Sequence, residues 1–326
     1  KVISPPDTGS NLLRGIYGKL DNRAVVARAE YDFNANLTAY AALGSLRYRY
    51  AGFINGTRAA ISNNAGDYRG MTYHQRGGTD TVSAEAGLRG SFRTGSVGHQ
   101  VVLGLTSLDY DTYRANPGNS AAYNSNIYSP VTPLLGADPG RAPLSGDARL
   151  NGVALADTLA FASDRVLLTL GVRQQRVEAT TFNITSGAVT AAYDERAITP
   201  AVGLVVKPWG QAASLYANYI EGLSQGDTVT DGVFSQTFAP YKTKQVETGI
   251  KWDHGSLTQT LALFRITRPS VIRYAQYVYD DNGEQRNQGV EWNVFGKLGR
   301  NVQVLGGVAY TDAELLRSAT AAYKGN

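Results

Sequence analysis

The chain has 326 residues, of which 43% are hydrophobic and 18% charged, and its formal net charge is +4. With 36 glycines and 20 tyrosines beside one methionine, it favours strands and turns over helices. No segment approaches the roughly 18 uninterrupted apolar residues of a membrane-spanning helix, which excludes a helical membrane protein. The lack of cysteine excludes disulfides and thiolate sites, and the scattered basic residues do not indicate a nucleic-acid partner.

The first predicted hairpin shows a pattern that recurs along the chain. From Arg23 to Phe33, small, apolar and aromatic residues occupy every second position, while Arg28 and Glu30 lie on the opposite face. A three-residue turn leads into a second strand, Leu37–Tyr50. A period of two residues is the signature of a strand whose two faces meet different surroundings.

Five more hairpins follow, and together they raise the number of predicted strands to about twelve. The further strands are Thr79–Arg93, His99–Tyr113, Leu150–Phe161, Arg165–Thr181, Ile198–Lys207, Ala212–Glu221, Tyr241–Trp252, Ser256–Tyr274, Asn287–Lys297 and Val302–Asp312. Helical periodicity is not convincing anywhere, so the fold class is all-β.

The lengths of the connections alternate along the chain. Every second turn has two to five residues, whereas the others run to about thirty. Outer-membrane barrels impose this rhythm, because short periplasmic turns alternate with long extracellular loops. Phe33, Phe92, Trp209 and Trp252 lie beside short turns, as an interfacial aromatic girdle requires, although aromatic core residues also flank turns in ordinary sheets. The pattern favours an antiparallel transmembrane β-barrel.

The polar face of each strand then faces the inside of the barrel, where water or a plug can solvate charge. The residues predicted to face inward are Arg28, Glu30, Glu85, Arg89, Arg173, Glu247, Lys251 and Glu291.

Several phrases in this order resemble the TonB-dependent ferric-siderophore receptors. They are FRTGSVGHQVVLG (Phe92 to Gly104), NIYSP (Asn126 to Pro130), KTKQVETGIKWD (Lys242 to Asp253), RNQGVEW (Arg286 to Trp292) and GGVAYTDAEL (Gly306 to Leu315). Each is weak alone, but five in the expected order cover most of residues 22–315.

The resemblance implies a 22-stranded barrel with an N-terminal plug, which imports a ferric siderophore with energy from the inner-membrane TonB complex. Residues 1–326 correspond to the central part of that barrel. No plug sequence, TonB box or final strands are visible, so the plug, which would mediate contact with TonB, is expected elsewhere in a longer chain. The expected location is the outer membrane of a Gram-negative bacterium, in contact with its lipid.

We predict that aromatic and cationic residues of the extracellular loops bind the chelate, because they complement aromatic or anionic siderophores. The candidates are Tyr68, Arg69, Tyr73, His74, Arg76, Tyr113, Arg114, Tyr123, Tyr274, Tyr277 and Tyr279. Iron enters as transported ligand, so neither a cofactor nor a resident metal site is expected. No acidic pair has a neighbouring nucleophile, histidine or cofactor motif, and an enzyme is not expected.

Two alternatives share parts of the pattern. A passive or substrate-selective porin has the same strands and loop asymmetry, and it differs by lacking a plug of roughly 130 residues upstream. A soluble β-propeller would repeat every ~40 to 50 residues, and no such repeat is visible. The chelate's identity stays open, with haem and cobalamin as further options.

Overall fold

The computed structural model describes residues 4–53, 58–224, 226–231, 234–275 and 278–317. Its strands, in chain order, are β1 (Gly18–Asn34), β2 (Leu37–Gly52), β3 (Arg58–Ile61), β4 (Asp67–Met71), β5 (Tyr73–Thr94), β6 (Val97–Arg114), β7 (Gly118–Asn119), β8 (Tyr123–Asn126), β9 (Leu144–Phe161), β10 (Val166–Phe182), β11 (Val189–Val206), β12 (Ala213–Ser224), β13 (Thr228–Asp231), β14 (Phe234–Thr237), β15 (Tyr241–Asp253), β16 (Leu257–Ala275), β17 (Val278–Leu298) and β18 (Val302–Arg317). A 3-10 turn, Gly210–Ala212, precedes β12.

Twelve long strands form one continuous antiparallel sheet in chain order, β1-β2-β5-β6-β9-β10-β11-β12-β15-β16-β17-β18. Each pairs with its neighbour in sequence, as in a meander. The short strands belong to the long connections: β3, β4 and β8 make a small separate sheet, β13 pairs with β14, and β7 pairs with the upper end of β5. The twelve predicted strands and their hairpin pairing are therefore confirmed.

The strands extend further from the short turns than the sequence pattern indicated. β11 begins at Val189, nine residues before its predicted start, so only residues 183–188 separate it from β10. Likewise β16 and β17 continue to Ala275 and from Val278. The prediction of a long loop is therefore wrong at these two connections. Both faces of these upper segments meet water, so the alternation that marks a half-buried strand fades there.

The register of the sheet divides its residues between two faces. One cavity of about 330 Å³ touches Val26, Ala42, Thr106 and Arg173, which lie on four different strands. Because strands this far apart can line one cavity only on the concave side, we call this face the inner face and the opposite one the outer face. All eight charged residues predicted to face inward lie on the inner face, including Glu85, which lines the same cavity.

The outer face carries an apolar band beside the short turns. Each of the twelve long strands contributes solvent-accessible apolar or aromatic side chains to it, including Val25, Leu43, Leu88, Leu103, Leu155, Leu170, Leu204, Leu215, Val246, Leu261, Trp292 and Val308. Phe33, Phe92 and Trp252 lie at its lower edge, beside the short turns. A continuous apolar surface of this extent is far larger than a protein in water tolerates, whereas lipid covers it without cost.

Above the band, the outer face of every long strand turns polar and charged. We call the two parts of the sheet divided by this change the lower wall, beside the short turns, and the upper wall. Asp157 is a charged outer residue of the lower wall, where it pairs with His99. The first charged outer residues of the upper wall, one for each strand, are Arg23, Arg47, Asp80, Asp109, Arg149, Arg176, Arg196, Glu221, Lys244, Arg265, Arg286 and Asp312.

Many of these charges pair with a neighbouring strand. Asp80 accepts from both Arg47 and Arg49, the latter at 2.6 Å, and Asp109 accepts from Arg149 at 2.6 Å. Such pairs between exposed side chains contribute little stability, but they keep the outer surface of the upper wall hydrated.

On the inner face, aromatic rings lie flat over glycines of the adjacent strand. A Cβ added at Gly249 would come within 2.7 Å of the Tyr216 ring, and one at Gly289 within 2.8 Å of the Phe264 ring. The Tyr216 hydroxyl, held this way, donates to Glu247 at 2.8 Å. The glycines therefore let the rings follow the wall rather than project into the interior.

Candidate functional site

The inner face of the upper wall differs from the inner face of the lower wall in charge. In the lower wall Glu30 accepts hydrogen bonds from Arg28 at 2.6 Å and is bridged by Arg89 at 2.8 Å, with Arg89 also stacked on Tyr40. On the upper parts of β1, β2, β5, β6, β9 and β10, the inner positions are uncharged apart from Arg114. Aromatic, small and hydroxyl-bearing side chains replace the ions there.

Four tyrosines dominate this upper inner surface. Tyr110 on β6 and Tyr193 on β11 belong to one row of cross-strand neighbours, separated by Ala148 and Ala179. The two small residues leave room between the rings for part of a ligand. Tyr110 is 38% exposed, so its ring and hydroxyl are accessible.

Tyr48 and Tyr50 continue the same surface on β2. Their ring centroids are 6.0 Å apart, and the Tyr50 ring lies over Gly77 of β5. Both side chains are partly exposed on the inner face. We call Tyr48, Tyr50, Tyr110 and Tyr193 the tyrosine wall.

Few charges accompany the tyrosine wall. Arg114 stands at its upper edge and Glu195 follows Tyr193 on β11. Farther round, on β16, Arg268 forms an ion pair with Asp227 at 3.2 Å. Asp280 of β17, opposite Ile272, adds a further carboxylate among the described residues of this surface.

Above β1 to β6, three connecting segments are packed together. In the small sheet, Tyr68, Tyr123 and Ile127 form a buried cluster that Leu12 of the first segment covers. Thr72 is fully buried: its hydroxyl donates to the Leu134 carbonyl at 2.7 Å and accepts from the Gly136 amide at 2.9 Å. The segments therefore form one ordered cap rather than independent loops.

Asp67 holds the edge of this cap together. It accepts hydrogen bonds from the side-chain amides of Asn63 and Asn126, each at 2.8 Å, and these lower the pKa of its carboxyl below the usual value. In the cap's interior, burial raises the pKa of the Tyr123 hydroxyl.

Three of the predicted ligand-binding residues pack the cap. Tyr68 is 2% exposed and contacts Tyr123 edge to face, while His74 is 5% exposed between Phe53 and the Tyr17 hydroxyl. All three side chains are buried in the cap in this conformation, and whether they contact the chelate stays a prediction.

The other candidates are dispersed around the upper end. Arg76 and Tyr113 lie on the outer face, where Arg76 pairs with Asp138 and Arg49 stacks on the Tyr113 ring. Arg69 is exposed in the cap and Tyr73 lies under Arg58. Tyr279 lies under Arg273, whereas Tyr277 is outside the described residues.

Arg114 and Tyr274 remain as inner-side candidates, the latter donating to Asn282 at 2.8 Å. The sequence reasoning missed all four residues of the tyrosine wall. Strand parity could have found Tyr48 and Tyr50, because they lie on the same face of β2 as Ala42, which pairs with the inward-facing Arg28.

A second concave feature faces outward. A cavity of about 720 Å³ lies between the outer face of β1, β2, β5 and β6 and residues 140–142, and its lining includes Arg47, Arg49 and Asp80. Tyr50 of the tyrosine wall also contributes to its lining.

Within the described ranges, no cluster of three or more histidine or acidic side chains could hold a metal ion. The same residues contain no helix that is long and apolar enough to cross a membrane.

Comparison with known proteins decides the family. The family model "TonB dependent receptor-like, beta-barrel" matches residues 3–326. The chain belongs to this family. Its twelve-stranded sheet is accordingly the wall of an outer-membrane β-barrel, and the short turns mark the periplasmic end.

Two curated relatives have ferrichrome in their names. The "Ferrichrome receptor FcuA" of Yersinia enterocolitica is 33% identical over all of this chain and 44% of its own length. The "Ferrichrome outer membrane transporter/phage receptor" of Escherichia coli is 28% identical, over 75% of this chain and 33% of its own. The chain thus spans less than half the length of these relatives.

Solved structures agree on the architecture. BauA, the ferric preacinetobactin receptor of Acinetobacter baumannii, has a TM-score of 0.77 and 35% identity over 94% of this chain and 47% of its own. The ferric-catecholate import receptor Fiu of Escherichia coli has a TM-score of 0.72 at 18% identity, covering 94% and 49%. The second likeness supports the fold alone. Receptors of this kind are not enzymes by family.

Proposed function

We propose that this chain forms the central part of the barrel of a longer receptor, which binds a ferric siderophore from outside and imports it with energy from the TonB complex. The observation that carries the proposal is the reversal of polarity in the upper wall. Its outer surface is charged, while its inner surface holds accessible tyrosines. Lipid cannot explain an inner aromatic surface, but a bound ligand can.

The names of the relatives support a ferric siderophore as the ligand. Two are named for ferrichrome and one for preacinetobactin, and the chain matches each of them across three quarters or more of its length. Arg114, at the upper edge of the tyrosine wall, can donate to carbonyl or hydroxamate oxygens of such a chelate. Within this proposal the barrel has no catalytic role, and iron is cargo.

Transport is tested by uptake of labelled ferric siderophores in iron-starved cells with and without the full-length gene. We expect uptake of one chelate to disappear on deletion, and also when the proton gradient is collapsed. Solute flux that persists after collapse would contradict energised import and support the porin alternative.

A matched pair of arginines tests the place of binding. Arg114→Ala on the inner face should weaken chelate binding about ten- to a hundredfold, the usual effect of losing a hydrogen bond from a charged donor. Arg149→Ala on the outer face should leave the Kd unchanged. Equal effects of both variants, measured on purified full-length receptor, would place the ligand elsewhere.

A further inference from the structure

The outward-facing cavity of about 720 Å³ concentrates positive charge. Its charged lining residues are five cations and two carboxylates, namely Lys19, Arg47, Arg49, Arg76 and Arg141 with Asp21 and Asp80. Arg23, Asp111 and Asp138 flank them, which makes six cations against four carboxylates. Asp147, opposite Asp111 on β9, lies one strand further away and leaves the balance positive. The cavity is therefore suited to an anion.

Some of these cations are available to a ligand. Asp80 uses one carboxylate oxygen for Arg47 and the other for Arg49, so it has none left for the remaining cations. The Arg47 side chain is 61% exposed beside this contact. Lys19 and Arg141 form no salt bridge with any residue that the structure describes. Guanidinium groups in this state bind phosphate oxygens well, because their N–H groups match two oxygens at once.

The roof of the cavity belongs to a segment that also holds the cap. We call this segment, residues 131–143, the strap. Thr72 in the cap fixes the middle of the strap through two hydrogen bonds, and Asp138 of the strap pairs with Arg76 on β5. Arg141, three residues further on, lines the cavity. A ligand held both by Arg141 and by the barrel wall would therefore fix the strap, and with it the cap.

The height of the cavity indicates the kind of anion. Arg47 and Asp80 are the first charged outer residues above the apolar band on their strands, so the cavity begins where lipid gives way to headgroups. Basic clusters at this level attract anionic headgroups. The central strands, β2 and β5, have both of their neighbours within this chain, so this part of the cavity is complete here.

We propose that the cavity binds a phosphate group from the outer surface, and that its occupation fastens the strap and the cap to the upper wall. Neither the chelate nor its import is needed for this binding. Arg47 holds the phosphate from the wall and Arg141 holds it from the strap. Arg49, fixed by Asp80 and by the Tyr113 ring, adds positive charge behind them. A lipid headgroup and a free phosphate present the same chemistry to this site.

Hydrogen exchange of the full-length receptor, refolded into phosphatidylcholine vesicles, tests the site and its source of phosphate. The vesicles are compared without addition, with diphosphoryl lipid A, and with inorganic pyrophosphate in solution. At a phosphate concentration of about ten times the Kd, amides of the strap and the cap should exchange about tenfold more slowly. Protection by lipid A alone would identify a headgroup as the ligand, and equal protection by pyrophosphate would identify a soluble phosphate. Unchanged exchange in all three conditions would overturn the proposal.

Variants then locate the effect. Arg141→Gln should weaken pyrophosphate or lipid A binding about ten- to a hundredfold, the usual effect of losing a charged donor, and should remove the added protection. Arg141→Lys keeps the charge and should retain part of both. Arg265→Gln is the matched control, because Arg265 is the first charged outer residue of β16 and does not line the cavity.

The two halves of the proposal fail differently. If Arg141→Gln and Arg265→Gln bind phosphate equally well, the cavity is not the site. If calorimetry shows that the unaltered receptor binds phosphate but exchange of the cap stays unchanged, the cavity is a site and its coupling to the cap is wrong.

Discussion

The lower and upper walls of this barrel place opposite chemistry on their two faces. In the lower wall the outer face is apolar and the inner face holds ions such as the Arg28–Glu30–Arg89 cluster. In the upper wall the outer face holds ion pairs and the inner face holds tyrosines. The same strands run through the lower and the upper wall, so the alternation of polar and apolar residues does not by itself identify the inner face.

The difference follows from what surrounds each half. Lipid around the lower wall favours apolar side chains outside, so most charges lie inside, and the outer Asp157 is paired with His99. Water surrounds the upper wall, which removes that preference and lets the outer face be charged. The inner face of the upper wall is consequently free to be shaped by a ligand. Four substitutions or conditions test this comparison, from the largest expected effect to the smallest.

The strongest test puts a charge on the outer face at two heights of one strand. Val202→Arg lies within the apolar band between Leu170 and Tyr219 and should cost about 2 to 4 kcal/mol of unfolding free energy, because the guanidinium must enter hydrocarbon. Ile198→Arg, four residues higher on the same face of β11, should cost about 0 to 1 kcal/mol. Denaturant titration of the full-length protein refolded into lipid vesicles measures both. Equal losses would mean that the band does not face lipid.

A second test concerns the inner rings that lie over glycines. Gly249→Ala would bring a methyl group against the Tyr216 ring and the Leu261 carbonyl, so we expect a loss of about 1 to 3 kcal/mol from overpacking. Gly222→Ala, on neighbouring β12, meets no atom within 4 Å and is the control. The same denaturant titration measures both variants. If Gly249→Ala left the free energy of unfolding unchanged, the Tyr216 ring could move away from the wall at no cost.

A smaller effect is expected from the outer ion pairs of the upper wall. Arg149→Ala removes the partner of Asp109, but the Arg149 side chain is 60% exposed, so the loss should stay below about 1 kcal/mol and decrease with salt. A double-mutant cycle with Asp109→Ala isolates the pair. A coupling energy as large as the Val202→Arg penalty would mean that the outer ion pairs of the upper wall are shielded from water.

The sequence was sufficient for the lower wall and insufficient for the upper wall, for a physical reason. Around Val25 and Arg28 one face is apolar and the other charged, so a period of two identifies both strand and face. Around Tyr193 both faces are polar or mixed, and β11 was predicted to begin only at Ile198. The tyrosine wall was therefore not predicted. Tyr68 and His74 were predicted as ligand contacts from their residue types alone, because their burial depends on contacts between connections that are distant in sequence.

The smallest effect concerns the cap above the upper wall and its response to acid. The pKa of Asp67 is lower in the folded cap than in the unfolded chain, because Asn63 and Asn126 donate to its carboxylate. Its stabilising contribution is therefore fully present above the unfolded pKa and is lost as the pH falls through the lowered folded value. Hydrogen exchange of the cap amides should accelerate only in that acidic range, below the ordinary aspartate pKa. In Asp67→Asn, which has no carboxyl to titrate, this acid-dependent step should disappear. A step of unchanged size in the variant would assign the acid response to another group.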